Sequence, residues 1–507
     1  MDEGSVAGVE VATPAGRVRG SWTVGDRVAA FRGIRFAEPP VGALRFAAPE
    51  RVRGWDGVRP AVEPGPAPPQ PRTAGSSAPT TGSDWLTLNV WTPDPSSSAG
   101  MPVLVWVPGG GYLVGHAGLP DYDGALLASA GVVVVTVNYR LGLEGFGQLE
   151  GAPANRGLLD VVAALEWVRD SVAGFGGDPD RVTVFGESAG AGCVAALVAM
   201  PRARGLFRRA VAQSVPGTFF SPELASDLAS ACAAELGLAA PRADALADVD
   251  PELLVTAGGS VAASMADHRD RWGVVTHRPI LVAPVVDGEV LPTTPWAALA
   301  AGSGRDVELL VGHTRDEHRL FSLVDGVLGQ VTTEQTELAL TMLAPAACGA
   351  AGFRQAFPGA SDEQVYELVN GDWLFRMPSL RLAEAQVAGG GSAHLFELTW
   401  PAPAMGGLLG ACHGLDVPLV FGNLDRGQTA MLIGDPPPPE AVQLSAAMRD
   451  AWVSFAVHGD PGWPSYDLDR RLTRLFDVPS SVATYPEDTS RRLWLGHTFA
   501  PLPLLGI

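Results

Sequence analysis

The run GVVVVTVNY, residues 131–139, limits the fold more than any other stretch of this chain. It is too apolar and too β-branched for a surface strand. It reads as a central strand covered on both faces. The segment that follows, NRGLLDVVAALEWVRDSVAGFGGDPD, sets Leu158, Leu159, Val162, Leu165, Val168 and Val172 at helical spacing. Its GFGGDPD end stops the helix with glycines and a proline. RVTVF then returns as a short strand, a helix of small residues follows, and RRAVAQS is strand-like again. This alternation predicts βαβ units and a parallel sheet, hence an α/β fold.

Earlier strands are expected in RVRGSW, VAAFRG, LTLNVW and VLVWV, and later ones in HLFELTW and TRLF. The Pro/Ser-rich stretches EPGPAPPQPRTAGSSAPTTG and TPDPSSSAG read as surface loops, too near the start to divide two domains. Residues 1–507 are therefore expected to form one domain. Mostly helical excursions at about 222–265 and 333–388 could roof a pocket.

Composition excludes several functions. With 47% apolar and only 18% charged residues, the chain can build a large core, and broad disorder is not expected. A net charge of −20 without basic patches disfavours nucleic acid and anionic lipid as partners. All basic residues are arginine, which with the abundant Ala, Gly and Pro suggests a GC-rich bacterial genome. ALLASAGVVVVTV is too short and interrupted for a membrane span, and the acidic start MDEGSVAGVE does not read as a signal peptide. Cys193, Cys232, Cys348 and Cys412 have neither disulfide-like nor metal-like spacing. We expect a cytoplasmic protein without metal or cofactor.

The chemistry gathers at FGESAGAG, residues 185–192. Gly186, Glu187, Ser188, Ala189 and Gly190 match G-x-S-x-G at a strand-to-helix junction. A sharp turn there would project the Ser188 hydroxyl from the sheet edge and aim the Ala189 amide at the same reacting atom. The competing reading is a serine that caps a helix. Dinucleotide binding is disfavoured, because the next strand ends in Gln213 and Ser214 rather than an acid for the ribose. A serine nucleophile needs a base, an orienting acid and oxyanion donors. VLVWVPGGGYLVG supplies Gly110 and Gly111 directly after a strand, as donor candidates. The base should be one of nine histidines, and acid and base should both follow the serine in the chain.

At this point the chain resembles the type-B carboxylesterases, which include the cholinesterases. The resemblance rests on FRGIRFAEPPVGALRF, DWLTLNVWTP, PVLVWVPGGGY, VVVVTVNYRLG, the stretch from NRGLLD to FGESAGA, GLFRRAVAQS, PVVDGEVLP, ACHGLDVPLVFGN and WVSFAVHGDPGWPSYD, in order. It implies an α/β-hydrolase fold and a serine ester hydrolase, with a small-molecule ester as its substrate partner. Carried over, Ser188 is the nucleophile, Glu317 in VGHTRDEHRLF the acid and His413 in ACHGLDVP the base. Gly110, Gly111 and Ala189 are the oxyanion donors, and Glu187 lies buried near the site.

The chain departs from the family at four places. Pro108 precedes the glycines, His318 follows the acid, Trp85 replaces a cysteine, and VPGTFF follows AVAQS. Tyr112, Leu113, Phe219, Phe220, Phe321 and Trp373 are the pocket candidates, together with Glu187. His313 and His318 are expected to be solvated, and Asp416 to serve a helix terminus or salt bridge. An apolar or aromatic ester is the expected substrate. Carbamate or amide hydrolysis, biosynthetic acyl transfer or lactone chemistry are alternatives on the same triad. A non-catalytic binding protein is the alternative from another class.

Overall fold

The computed structural model describes residues 8–23, 27–72, 82–428 and 430–506. Residues 1–7 of the acidic start and 73–81 of the first Pro/Ser-rich loop lie outside them. Among the described residues one sheet has thirteen strands. Its order runs Gly8–Thr13, Gly16–Trp22, Ala29–Arg35, Thr87–Thr92, Val133–Val137, Met101–Val107 and Gly177–Glu187. It continues with Arg209–Gln213, Glu308–Thr314, Ala393–Leu398, Leu472–Phe476 and Ser481–Thr484, while Val58–Pro60 pairs with Gly16–Trp22 off this path.

The strands from Val133–Val137 to Leu472–Phe476 all pair in parallel, flanked by antiparallel strands at both edges. The predicted central strand is Val133–Val137, and all five of its residues are buried. Its neighbour Met101–Val107 shows why the sheet needs cover on both sides. Val103, Val105 and Val107 face one apolar cluster, and Leu104 and Trp106 face another. Helices Arg156–Ser171 and Ala189–Ala199 supply the first cluster, while Asp416–Phe421 and Pro439–His458 supply the second.

The predicted early and late strands are all present. Gly8–Thr13, Val58–Pro60, Glu308–Thr314 and Ser481–Thr484 carry weaker patterns and were not predicted. RVTVF is the end of a longer strand, Gly177–Glu187. Both excursions are helical, with Pro222–Glu235 and Pro251–Ser264 in the first and Thr333–Leu343 through Met377–Ala388 in the second. No helix among the described residues is long and apolar enough to cross a membrane.

This order places the site. Strands Met101–Val107, Gly177–Glu187, Arg209–Gln213, Glu308–Thr314 and Ala393–Leu398 are successive neighbours in the sheet. Their carboxyl ends lead into Gly109–Gly111, Ser188, Ser214, Glu317 and the loop that reaches His413. Segments far apart in sequence therefore meet at one edge, where parallel sheets bind ligands.

Candidate active site

Ser188 stands between strand Gly177–Glu187 and helix Ala189–Ala199 with φ 56° and ψ −126°. A non-glycine residue pays for such a conformation, so its surroundings must enforce it. The Ser188 amide donates to Gln213 O at 2.9 Å on the adjoining strand. A Cβ on Gly190 would sit 2.0 Å from Val107 O, so only glycine lets the helix start this close to the sheet. Ser188 holds the N-cap position but makes no capping hydrogen bond, so its hydroxyl is not consumed by the helix. That removes the capping alternative.

The glycine loop packs against this turn. Gly110 has φ 122°, and a Cβ there would meet Val114 O at 2.1 Å. Among the described residues, neither the Gly110 nor the Gly111 amide donates an intramolecular hydrogen bond. The Ala189 amide opens a helix, where N–H groups lack intrahelical acceptors. Tyr139 Oη donates to Pro108 O at 2.7 Å, so the departure at Pro108 leaves the loop anchored by its carbonyl.

His413 and Glu317 are joined by a 2.6 Å bond from Nδ1 to Oε2. Glu317 Oε1 accepts from Ser214 Oγ at 2.6 Å and from the Thr314 amide at 2.9 Å. Burial favours the neutral form of Glu317, but His413 and Ser214 outweigh it and hold this carboxyl below its usual range. Burial also opposes charge on His413, yet Glu187 and Glu317 together raise the imidazole to about 9. Burial pushes Glu187 up to about 8 against the pull of His413. These two groups face each other, with Nε2 3.0 Å from Glu187 Oε1, so the charge on each depends on the other. No hydrogen bond joins Nε2 to that oxygen, which has no hydrogen-bond partner among the described residues. Phe375 stacks on the imidazole with centroids 4.2 Å apart, and Phe321, itself stacked on Phe375, leans on it from the same side at 5.0 Å.

A cavity of about 510 Å³ is lined by Gly110, Gly111, Ser188, Ala189 and His413 together. Of the predicted walls, Tyr112, Leu113, Glu187 and Phe321 line it, whereas Phe219, Phe220 and Trp373 do not. Phe219 and Phe220 are in the core, Phe219 edge-on against Trp296. Their neighbours Pro216 and Thr218 face the cavity instead. Leu374 and Phe375, next to Trp373 in a π-helical turn of residues 372–376, line the cavity in its place. Of the two helical excursions, the second thus supplies wall residues, and the first supplies none of those lining the cavity.

Sequence reasoning also missed Ser214, Leu320, Ile280 and Arg278. Arg278 is the arginine in a mainly apolar wall that also holds Glu187 and His413. It pairs with Asp325 at 2.7 Å and lies over the Phe321 ring at 4.1 Å. The expectation of solvated His313 and His318 is wrong, since both are buried. His313 lies 3.0 Å from Tyr485 Oη, and burial with nearby Arg376 lowers it to about 4. His318 packs on Phe321 and Tyr366, and burial lowers it well below the usual imidazole range. Asp416 stands in the first turn of its helix, as expected, and accepts from Gln213 Nε2 at 2.8 Å.

The model of the carboxylesterase family matches residues 7–474. Para-nitrobenzyl esterase of Bacillus subtilis is 36% identical over 95% of this chain and 97% of its own. Phenmedipham hydrolase of Pseudarthrobacter oxydans is 34% identical over 88% of this chain and 90% of its own. The crystal structure of a Geobacillus stearothermophilus carboxylesterase superposes with a TM-score of 0.83 at 34% identity, covering 96% of this chain and 99% of that one. The fold is the α/β-hydrolase fold that the resemblance implied.

The Ser214 bond is testable by itself. A buried hydrogen bond to a charged group contributes about 1.5–3 kcal/mol. Ser214→Ala should therefore lose about 2 kcal/mol of unfolding free energy in denaturant titration at pH 7. Because the Glu317 carboxyl is depressed in the fold, its stabilisation is present above the unfolded carboxyl range and fades as pH falls. The loss should shrink below about pH 4. A pH-independent loss would contradict the assignment of that bond to a charged Glu317.

Proposed function

The chain belongs to the carboxylesterase family and is an ester hydrolase, and from that premise we propose that it works through Ser188, His413 and Glu317 by way of an acyl-enzyme. The observation that carries this reading is the Glu317–His413 bond of 2.6 Å on the wall of the same cavity as Ser188. His413 accepts the Ser188 proton at Nε2 as the hydroxyl attacks the ester carbonyl, and returns it to the leaving alkoxide. Glu317 fixes the tautomer through Nδ1 and stabilises the imidazolium that forms. The free amides of Gly110 and Gly111, with that of Ala189, receive the oxyanion. Water deprotonated by His413 then attacks the acyl group and restores Ser188.

The substrate we assign is an uncharged apolar or aromatic ester. Leu113, Ile280, Leu320, Phe321, Leu374 and Phe375 offer apolar contact, and the Arg278 charge is already met by Asp325. A charged substrate group would be desolvated there without a free partner. Cytoplasmic location remains part of this reading.

Three outcomes test it. Ser188→Ala should lower kcat by roughly 10⁴-fold or more with the fold intact, and should escape the single organophosphate label that wild type takes up. Label on the alanine variant, read by intact mass, would refute Ser188 as nucleophile. Glu187→Gln removes the charge that most favours imidazolium, so the acid limb of kcat/KM should move down from near 9 toward the ordinary value of about 6.5. A limb that stays or rises would contradict the electrostatic coupling of Glu187 to His413. Finally, a neutral ester should exceed its carboxylate analogue in kcat/KM at both low and high salt. Equal turnover would mean that Arg278 is free to bind anions.

A further inference from the structure

A second cavity, of about 190 Å³, adjoins the first. Leu113 lines both. Two other segments also divide between them. Gln70 faces the reactive cavity while Pro69 and Pro71 face the second, and Ile280 faces the first while Leu281 faces the second. The partition is thus one residue thick along three stretches of chain. The far walls are Leu141, Leu143, Leu254 and Val255. The acidic lining residue, Glu144, is paired through Oε1 with Arg45 Nη2 at 2.6 Å, and both side chains are buried.

Helix Pro251–Ser264 carries an independent sign that this space is kept open. It places Gly258 and Gly259 side by side in its interior, both lining the second cavity. Each glycine costs a helix about 1 kcal/mol relative to alanine. Neither has the positive φ that would call for glycine. Crowding bears on Gly258 alone: a Cβ there would sit 2.8 Å from the tip of the Leu281 side chain, whereas one on the exposed Gly259 would meet nothing within 4 Å. Gly258 thus leaves Leu281 its place in the apolar wall, and Gly259 adds no side chain to the space beside it.

We propose that this chamber, parted from Ser188 by Leu113, receives the distal alkyl arm of a long-chain ester. The inference rests on the Ser188-centred reading and adds a substrate class to it. The chamber could take about six carbon-sized groups, at roughly 30 Å³ each. Leu113 would turn aside to let the chain pass, and the arm would exchange water for Leu143, Leu254 and Leu281. The transfer of each methylene out of water favours binding by about fourfold.

Gly258→Leu and, separately, Ala262→Leu fill the chamber from a helix that both residues favour, far from the triad. The substrates are p-nitrophenyl butyrate and decanoate, with butyl and decyl acetate as the matched series that lengthens the alcohol. Wild type should prefer the longer member of one series. Both variants should lose about tenfold or more in kcat/KM on that long ester and stay within about twofold on its short partner. The series that responds identifies which end of the ester enters. Equal effects on long and short esters, or no effect in either series, would overturn the chamber. Failure of the underlying reading looks different: wild type would cleave butyrate no faster than Ser188→Ala does.

Discussion

The left-handed turn at Ser188 is the constraint on which the site depends. At φ 56° the chain reverses from strand to helix within one residue, and the hydroxyl is thrust out where a helix would otherwise use it as a cap. The turn survives because both flanks are pinned. The Ser188 amide is tied to Gln213 O, and Gly190 lies against Val107 O where no side chain fits. Those contacts come from the two neighbouring strands. The parallel sheet therefore holds the strain, and the oxyanion candidates enter on the same strand that provides Val107.

A second constraint is charge held out of water. Glu187, Glu317, Asp416 and His413 are all buried within one cluster. Carboxylates so placed either find donors or keep their protons. Glu317 finds three donors and stays ionised, whereas Glu187 has only a misaligned imidazole and is pushed up to about 8. Two acids of the same kind thus take opposite parts, set by hydrogen bonding. Phe375, backed by Phe321, covers one face of the imidazole.

Much of this was legible in the sequence where the signal is local. The apolar run at 133–137 and the glycine–serine turn each carry their own pattern, and the family motifs located Glu317 and His413. The failures are of another kind. Phe219 and Phe220 sit in a segment from which Pro216 and Thr218 reach the cavity while both phenylalanines enter the core, and aromaticity does not say which way a side chain points. Trp373 rests only on its place in a helical excursion, and that does not say which residues of the π-helical turn 372–376 reach the cavity. Ser214 follows an ordinary strand, Arg209–Gln213, and its role exists only because Glu317, 103 residues later, lands beside it. His313 and His318 looked solvated from their charged neighbours, but the strand and loop that carry them are covered by Tyr485 and Tyr366.

The most direct test of the account is a crystal structure of the enzyme inactivated by a phosphonate ester. The account predicts one covalent bond, from Ser188 Oγ to phosphorus. It also predicts a phosphoryl oxygen about 2.7–3.1 Å from the amides of Gly110, Gly111 and Ala189, with His413 still bonded to Glu317. Phosphorus on any other side chain, or an oxygen turned away from those amides, would contradict it.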